Sequence, residues 1–173
     1  VALPDRATVL EIGSHQGRST VVLGRALRAR SGTLVCVDPF VDGALFGGRS
    51  TRAKFEQNVG DAGIADLVTL EAEFSTRLRP RWSQELDLLY IDGKHDYWTF
   101  TDDLRWADFL PEGGRVLVHD AFSSIGVTLG VLAKVLPSSS LRYLERSDSM
   151  ALFAKEPPTG ADRRGDPPRV RHR

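Results

Sequence analysis

Two short segments of the sequence carry carboxylate and imidazole side chains close together. Asp92 and His95 are three residues apart, and His119 directly precedes Asp120. A carboxylate beside an imidazole can withdraw the proton of a hydroxyl group, and a histidine with an ordinary pKa of about 6.5 suits that task near neutral pH. We therefore expect a catalytic site with His95 as the base, oriented by Asp92, and His119 as a second candidate base. A loop histidine bonded to a backbone carbonyl is the alternative.

A glycine turn at residues 11–17, with the sequence EIGSHQG, follows an apolar run. Glycines permit a tight turn and let backbone amides approach a ligand closely. Gly13 and Gly17 are four residues apart, and position 15 holds a histidine where a dinucleotide fingerprint needs its second glycine. The acidic Glu11 also suits a cationic ligand better than a pyrophosphate. The turn therefore predicts a nucleotide site, and its spacing argues against NAD or FAD as the ligand.

Alternating strands and helices must position these segments. Apolar runs predict strands at residues 8–12, 33–37, 67–70, 86–91, 115–118, 141–144 and 150–154. Amphipathic runs predict helices at residues 19–29, 51–62, 75–82, about 97–107 and 125–136. Five strand–helix units and a terminal hairpin, connected through residues 145–149, predict an α/β fold. We expect a Rossmann-like, doubly wound, seven-stranded and mostly parallel sheet with an antiparallel C-terminal hairpin strand. Such a sheet binds ligands at the carboxyl ends of its strands.

The residues at these strand ends resemble a known family. The run LEIGS at residues 10–14, with glycine at 17, is similar to the first motif of class I S-adenosylmethionine-dependent methyltransferases. Asp38, after the second strand, falls where that family's acidic residue holds the ribose hydroxyls, although such an acid taken alone is often a helix cap. The resemblance covers most of residues 8–155. It implies S-adenosyl-L-methionine as the cofactor, bound by Glu11, Gly13, Ser14, Gly17, Ser19, Thr20, Asp38, Glu73 and Asp92.

The segment IDGKHDY, which contains His95, resembles a subfamily of small O-methyltransferases acting on sugar hydroxyls of natural products and glycans. The wider group includes metal-dependent catechol-type enzymes, in which two acids after the fourth and fifth strands hold Mg²⁺. Asp92 and Asp120 match those metal ligands, and His95 takes the position of the base. The catechol-type pattern continues with Asn where this chain has Ala121. The third ligand would then be water or His119, and an imidazole ligand would indicate a softer metal than Mg²⁺.

Composition narrows the class of partner. Lys plus Arg and Asp plus Glu both number 23 in the 173 residues, so no basic excess points to nucleic acid. No apolar run reaches the ~20 residues that cross a membrane, and the lack of a signal peptide makes the cytoplasm the default compartment. The single cysteine, Cys36, leaves no internal disulfide.

We expect one methyltransferase domain at residues 1–155, a disordered basic Pro/Arg-rich tail at 156–173, and a homo-oligomer that closes the site.

Together these patterns predict methyl transfer to a hydroxyl of a small molecule, with a saccharide favoured. Two alternatives stay open on the same core, namely an N- or C-methyltransferase without a metal and a non-catalytic S-adenosylmethionine-binding module. A nicotinamide dehydrogenase is a third, more distant alternative. The glycine-rich loop at residues 40–48 is expected either to cover the ligand as a lid or to be an ordinary surface loop.

Overall fold

The computed structural model describes residues 3–41 and 48–157. Within them, seven strands form one sheet in the order β3-β2-β1-β4-β5-β7-β6. Strands β1 to β5 are parallel, and β7 is antiparallel to both of its neighbours. The predicted Rossmann-like, doubly wound sheet is confirmed. The strands are β1 (Thr8–Ile12), β2 (Thr33–Val37), β3 (Val68–Glu71), β4 (Leu88–Ile91), β5 (Arg115–Val118), β6 (Leu141–Ser147) and β7 (Met150–Lys155).

Helices lie between the strands where amphipathic runs predicted them, but three of them change type along their length. Pro80 follows the short α3 and has no backbone N–H to continue it, so a 3₁₀ turn takes over there. The fourth helix likewise ends in a 3₁₀ segment at Leu104–Phe109, and the fifth in a wider π turn at Val131–Val135. The α-helices are α1 (Arg18–Arg28), α2 (Gly48–Asp61), α3 (Ser75–Leu78), α4 (Tyr97–Asp103) and α5 (Ile125–Gly130).

The inner strands β1, β2 and β4 are buried on both faces, and their alternate side chains point to opposite sides of the sheet. In β1, Leu10 and Ile12 join the larger of two hydrophobic clusters, whereas Val9 joins the smaller one on the other face. In β2, Val35 and Cys36 divide between the clusters in the same way. A parallel sheet covered on both sides leaves its strand ends as the place where a ligand can enter.

The C-terminal hairpin turns more tightly than the sequence predicts. Strand β6 runs to Ser147, which pairs with Met150, so that only Asp148 and Ser149 form the connection. Asp148 adopts a positive φ of 53°, a conformation that aspartate tolerates and that two-residue hairpin turns use. The prediction of a five-residue connection at 145–149 is therefore wrong, and the edge strand is three residues longer than expected.

Two predicted segments fall largely outside the described residues. The loop expected at 40–48 is described only at residues 40, 41 and 48, and the expected tail only at residues 156 and 157. Within the described part of the chain, no helix has the length and apolar content needed to cross a membrane.

Candidate active site

A cavity of about 880 Å³ opens at the carboxyl ends of the parallel strands. Its walls come from residues that follow β1 to β4 and from helix α4. Four of the predicted site residues line it, namely Gly13, Asp38, Asp92 and His95. A smaller hollow of about 540 Å³ lies between α1 and α2, and of the predicted residues it includes only Gly17. The larger cavity is therefore the candidate site, since the acids and the imidazole meet there.

The glycine turn forms one wall of the cavity and depends on its glycines. Gly13 has a φ of +89°, and a Cβ built on it would lie 2.2 Å from the carbonyl oxygen of Asp92. Gly17, with a φ of +81°, precedes the first residue of α1. Only a residue without a side chain lets the turn lie directly against the segment that follows β4.

The carboxylate of Asp38 is held rigidly beside that turn. Its Oδ2 accepts a hydrogen bond from the backbone N–H of His15 at 2.8 Å, and its Oδ1 accepts from the N–H of Phe40 at 2.8 Å. The His15 side chain itself is exposed. Two backbone donors fix the orientation of the carboxylate, which leaves its remaining lone pairs available to a ligand in the cavity.

The structure places Glu11 beneath the turn and not in the cavity wall. The residue is fully buried, and its Oε2 accepts hydrogen bonds from Thr20 Oγ1 at 2.5 Å and Cys36 Sγ at 3.3 Å. Burial raises the pKa of this carboxyl group. Its Oε1 and the hydroxyl of the buried Ser14 have no hydrogen-bond partner among the described residues. These residues support the turn from below.

Two more of the predicted cofactor residues lie away from the cavity wall. Glu73 forms an ion pair with Arg81, and its neighbours Phe74 and Ser75 line the cavity instead. Ser19 lies in the first turn of α1 and is half-buried outside the lining. The region after β3 therefore reaches the cavity one residue later than the sequence predicts, at Phe74.

The acid–imidazole cluster predicted from the sequence is brought together at the ends of β4 and β5. His95 Nε2 lies 3.5 Å from Asp92 Oδ1, and His95 Nδ1 lies 3.4 Å from Asp120 Oδ2. His119 Nδ1 is 2.9 Å from Asp92 Oδ1 and 3.6 Å from Asp120 Oδ2. The side chain of His95 is 39% exposed, so the cluster is open to a substrate.

The cluster fits a divalent metal ion. Asp92, His95 and His119 each offer one ligand atom, and these atoms lie within 4.8 Å of one another. His119 Nδ1 is buried and makes no hydrogen bond of acceptable geometry, despite its 2.9 Å distance from Asp92 Oδ1. A buried nitrogen that faces a carboxylate oxygen without a hydrogen bond is compatible with two ligands directed at one cation. Two imidazoles in the set favour a softer metal than Mg²⁺.

Tyr90 supports the cluster, although no motif marked it in the sequence. Its hydroxyl donates a hydrogen bond to Asp92 Oδ2 at 3.1 Å. Burial, followed by the negative charge of Asp92, raises the pKa of Tyr90 above its usual range, so the hydroxyl keeps its proton and remains a donor. The strand period of two places residues 90 and 92 on one side of β4, and that spacing is the signal that could have identified it.

Helix α4 contributes further residues to the cavity. Trp98 lines the cavity and is 79% exposed, whereas the neighbouring Tyr97 is half-buried. Asp96 caps the helix by accepting from the N–H of Thr99 at 2.9 Å. That backbone bond is the largest influence holding the pKa of Asp96 at about 2. Asp103, at the end of α4, also borders the cavity.

Comparisons with known proteins agree with this architecture. Cofactor-bound Rv0187 from MTB has a TM-score of 0.69 at 21% identity, covering 86% of this chain and 72% of that one. CalS11, a TDP-rhamnose 3'-O-methyltransferase of calicheamicin biosynthesis, has a TM-score of 0.60 at 15% identity, covering 86% and 71%. An rRNA methylase from Streptococcus thermophilus has a TM-score of 0.65 at 14% identity, covering 90% of both chains. At these identities the likeness shows a shared fold alone.

A match to a protein family shows more than the shared fold, because it shows which family the chain belongs to. The family described as a methyltransferase domain matches residues 10–121, which is more than half of the 173-residue chain. The matched region contains the glycine turn, Asp38 and the whole acid–imidazole cluster. The chain therefore belongs to the methyltransferase-domain family and is a class I S-adenosylmethionine-dependent methyltransferase.

Proposed function

We propose that this enzyme methylates a hydroxyl oxygen of a small molecule, with a saccharide hydroxyl as the favoured acceptor. The observation that carries the proposal is the position of His95 between the carboxylates of Asp92 and Asp120, at 3.5 and 3.4 Å, in the wall of the cavity. An alcohol has a high pKa and must lose its proton during methyl transfer. A base in this position can accept that proton. The structural neighbour CalS11 is a TDP-rhamnose 3'-O-methyltransferase, and this supports a saccharide as the acceptor.

When bound in the cavity, S-adenosylmethionine would supply an electrophilic methyl carbon on a positively charged sulfur. His95 would take the proton of the acceptor hydroxyl as that oxygen gains the methyl group. We assign the resting proton of His95 to Nδ1, facing Asp120 Oδ2, which leaves Nε2 free to accept. The main contribution of the remaining site residues would be to hold the two reactants at attack distance.

We further propose that Asp92 and Asp120, with His119 as the third ligand, hold Mg²⁺ or a softer divalent ion. Such an ion would fix the acceptor hydroxyl and lower its pKa. Asp38, with its two backbone donors, would hold the ribose hydroxyls, and the backbone at Gly13 would face the rest of the cofactor. His95 is also close enough to be a metal ligand. One nitrogen cannot bind a metal and accept a proton at the same time, so the two roles must be separated by experiment.

The test is His95→Ala, assayed for methyl transfer and, separately, for binding of S-adenosylhomocysteine and Mn²⁺. A general base contributes about 10²–10⁴-fold to the rate, so we expect a loss of that size with both affinities retained. Lys134→Ala, at an exposed position that does not line the cavity, is the control and should keep full activity. An unchanged rate would exclude His95 as the base, and a loss of Mn²⁺ binding would make it a ligand.

The acceptor class needs its own test, since one structural neighbour is named as an rRNA methylase. Equal numbers of acidic and basic residues favour a small molecule over a polyanion. Methyl transfer to a panel of glycosides and phenols, with ribosomal RNA and amines as competitors, distinguishes these classes. An N- or C-methyltransferase would keep its rate in a chelator, and a non-catalytic module would bind the cofactor without transferring its methyl group. The cytoplasmic location and the homo-oligomer stay predictions, the latter to be measured by light scattering.

A further inference from the structure

Two consecutive serines, Ser123 and Ser124, lie where the chain passes from β5 to α5. Neither is among the predicted site residues, and neither lines the cavity. Their hydroxyl groups nevertheless donate hydrogen bonds to two different members of the acid–imidazole cluster. The reaction described above gives these serines no role as acid, base or ligand, so their contribution must come through those two bonds.

Ser123 holds the carboxylate of Asp120. Its hydroxyl donates to Asp120 Oδ1 at 2.8 Å, whereas Oδ2 faces His95 Nδ1 at 3.4 Å and His119 Nδ1 at 3.6 Å. Asp120 has a φ of 51°, in the left-handed region that residues other than glycine occupy at a cost, and such residues are concentrated at functional sites. The bond from Ser123 occupies one oxygen and directs the other at the two imidazoles.

The backbone on both sides of Asp120 is fixed as well. The carbonyl oxygen of Asp120 accepts from the N–H groups of Ser123 and Ser124, at 3.2 and 3.1 Å. The N–H of Ala121 donates to the carbonyl oxygen of Ser149, in the turn between β6 and β7, at 3.3 Å. These bonds hold the main chain, but the carboxylate can still rotate about its own side-chain bonds. The Ser123 hydroxyl restrains that rotation.

Ser124 holds the segment that carries the proposed base. It is the N-cap residue of α5, where a serine side chain usually accepts a hydrogen bond from an N–H of the first helical turn. The side chain of Ser124 makes no such capping bond, and its hydroxyl donates to the carbonyl oxygen of His95 at 3.1 Å. This serine therefore restrains the backbone of His95 in place of capping its own helix.

Gly126 shows how closely the start of α5 lies against that segment. A Cβ built on Gly126 would lie 2.4 Å from the carbonyl oxygen of His95 and 2.8 Å from the backbone nitrogen of Tyr97. Only a residue without a side chain permits this approach. The first turn of α5 is therefore packed directly on the backbone of the proposed base, which brings Ser124 within hydrogen-bond distance.

We propose that Ser123 and Ser124 are positioning residues with separate effects, Ser123 directing Asp120 at the metal ion and Ser124 holding His95 at the acceptor hydroxyl. This inference rests on the proposed roles of Asp120 as a metal ligand and of His95 as the base. A residue that orients a metal ligand affects metal affinity. A residue that places a base affects the rate at which the bound reactants react. The two serines should therefore change different measured quantities.

The experiment measures three quantities on the whole chain. Calorimetric titration gives the affinities for Mn²⁺ and for S-adenosylhomocysteine, and methyl transfer to the most reactive glycoside of the panel gives kcat and KM at saturating Mn²⁺. Ser123→Ala should weaken Mn²⁺ binding by about 10- to 100-fold and keep its kcat once Mn²⁺ is saturating. Ser124→Ala should keep its Mn²⁺ affinity and its KM, and kcat should fall by about tenfold or more, since a displacement of about 1 Å can cost about 100-fold.

Three controls separate positioning from folding. S-adenosylhomocysteine affinity should be unchanged in both variants, because neither serine lines the cavity. Ser123→Thr and Ser124→Thr keep a hydroxyl group and should recover most of the quantity that the alanine variant loses. Ser139→Ala removes the hydroxyl of an exposed residue in the loop after α5, outside the cavity lining, and should change none of the three quantities.

Equal Mn²⁺ affinity in Ser123→Ala and the wild type would overturn the proposal, and so would equal kcat in Ser124→Ala and the wild type. A parallel loss of all three quantities in either variant would show a merely structural residue and would also overturn it. Failure of the proposed function gives a different result. If His95→Ala kept its rate, or Asp120→Asn kept its Mn²⁺ affinity, the proposed roles of those two residues would be wrong instead.

Discussion

The hydroxyl of Tyr90 donates a hydrogen bond to Asp92 Oδ2 at 3.1 Å, and the other oxygen of Asp92 faces His119 Nδ1 at 2.9 Å. The carboxylate at the end of β4 is thus oriented from behind by a residue of its own strand. A metal-binding carboxylate usually has such a partner, which fixes its direction and tunes its basicity.

Tyr90→Phe should therefore weaken divalent metal binding by about 10- to 100-fold, the usual effect of removing a partner of a ligand. The free energy of unfolding should change by only about 1 kcal/mol, the net contribution of one hydrogen bond. Mn²⁺ titration and urea unfolding of the same samples measure both. Unchanged Mn²⁺ affinity would mean that Tyr90 does not act through Asp92.

His119→Ala should reduce Mn²⁺ binding further than Tyr90→Phe does, because it removes a ligand and not the partner of one. His15→Ala is the matched control, since His15 lies on the glycine turn with an exposed side chain outside the metal cluster. Methyl transfer should also fall when the wild type is treated with a chelator and recover with added metal. Equal Mn²⁺ affinity in both histidine variants would exclude His119 as a ligand.

Asp103 should make the protein less stable as the pH rises from about 4 to about 6. Burial, the largest influence, raises its pKa from 3.8 to about 6, opposed by the Ser75 hydroxyl and Arg79 and aided by Asp102 and Asp96. Between those pH values the folded state holds a proton that the unfolded chain has lost, so the free energy of unfolding falls. A shift of about two pKa units corresponds to about 3 kcal/mol.

Urea unfolding at several pH values checks this, with Asp103→Asn as the comparison. The variant has no titrating group at this position, so its stability relative to wild type should increase from pH 4 to pH 6 and then level off. Using the difference between the two proteins removes the effects of the other carboxylates. A difference that is constant across this pH range would contradict the raised pKa.

Gly13→Ala should displace the glycine turn and abolish S-adenosylhomocysteine binding. The new Cβ would lie 2.2 Å from the carbonyl oxygen of Asp92, and the φ of +89° is unfavourable for alanine. Gly60→Ala is the control, because nothing lies within 4 Å of its Cβ position within α2, and helix propensity should stabilise it by up to about 1 kcal/mol. Calorimetric titration of both variants measures S-adenosylhomocysteine binding, and thermal unfolding measures their stability. Normal binding by Gly13→Ala would show that the turn can relax around the new side chain.

The sequence by itself determined the fold class and the meeting of Asp92, His95, His119 and Asp120. The fold class and the clustering of these residues both follow from local sequence patterns. A short apolar run predicts each strand, and the first polar residue after the run marks the strand's end. Since parallel strands all end at one edge, residues after β4 and β5 come together whatever the details of packing. The sequence does not predict the tight turn at Asp148. The last residues of the edge strand β6 are polar and exposed, so they lack the apolar pattern that marks a strand.

Only the tertiary structure decided which of those residues face the cavity. Glu11 points beneath the turn because Thr20 and Cys36, from α1 and β2, offer it hydrogen bonds there. Asp103 reaches the cavity because α4 packs beside α3 and brings it to Ser75, 28 residues away in the chain. Helix orientation depends on packing between distant segments, and no local pattern in the sequence records it.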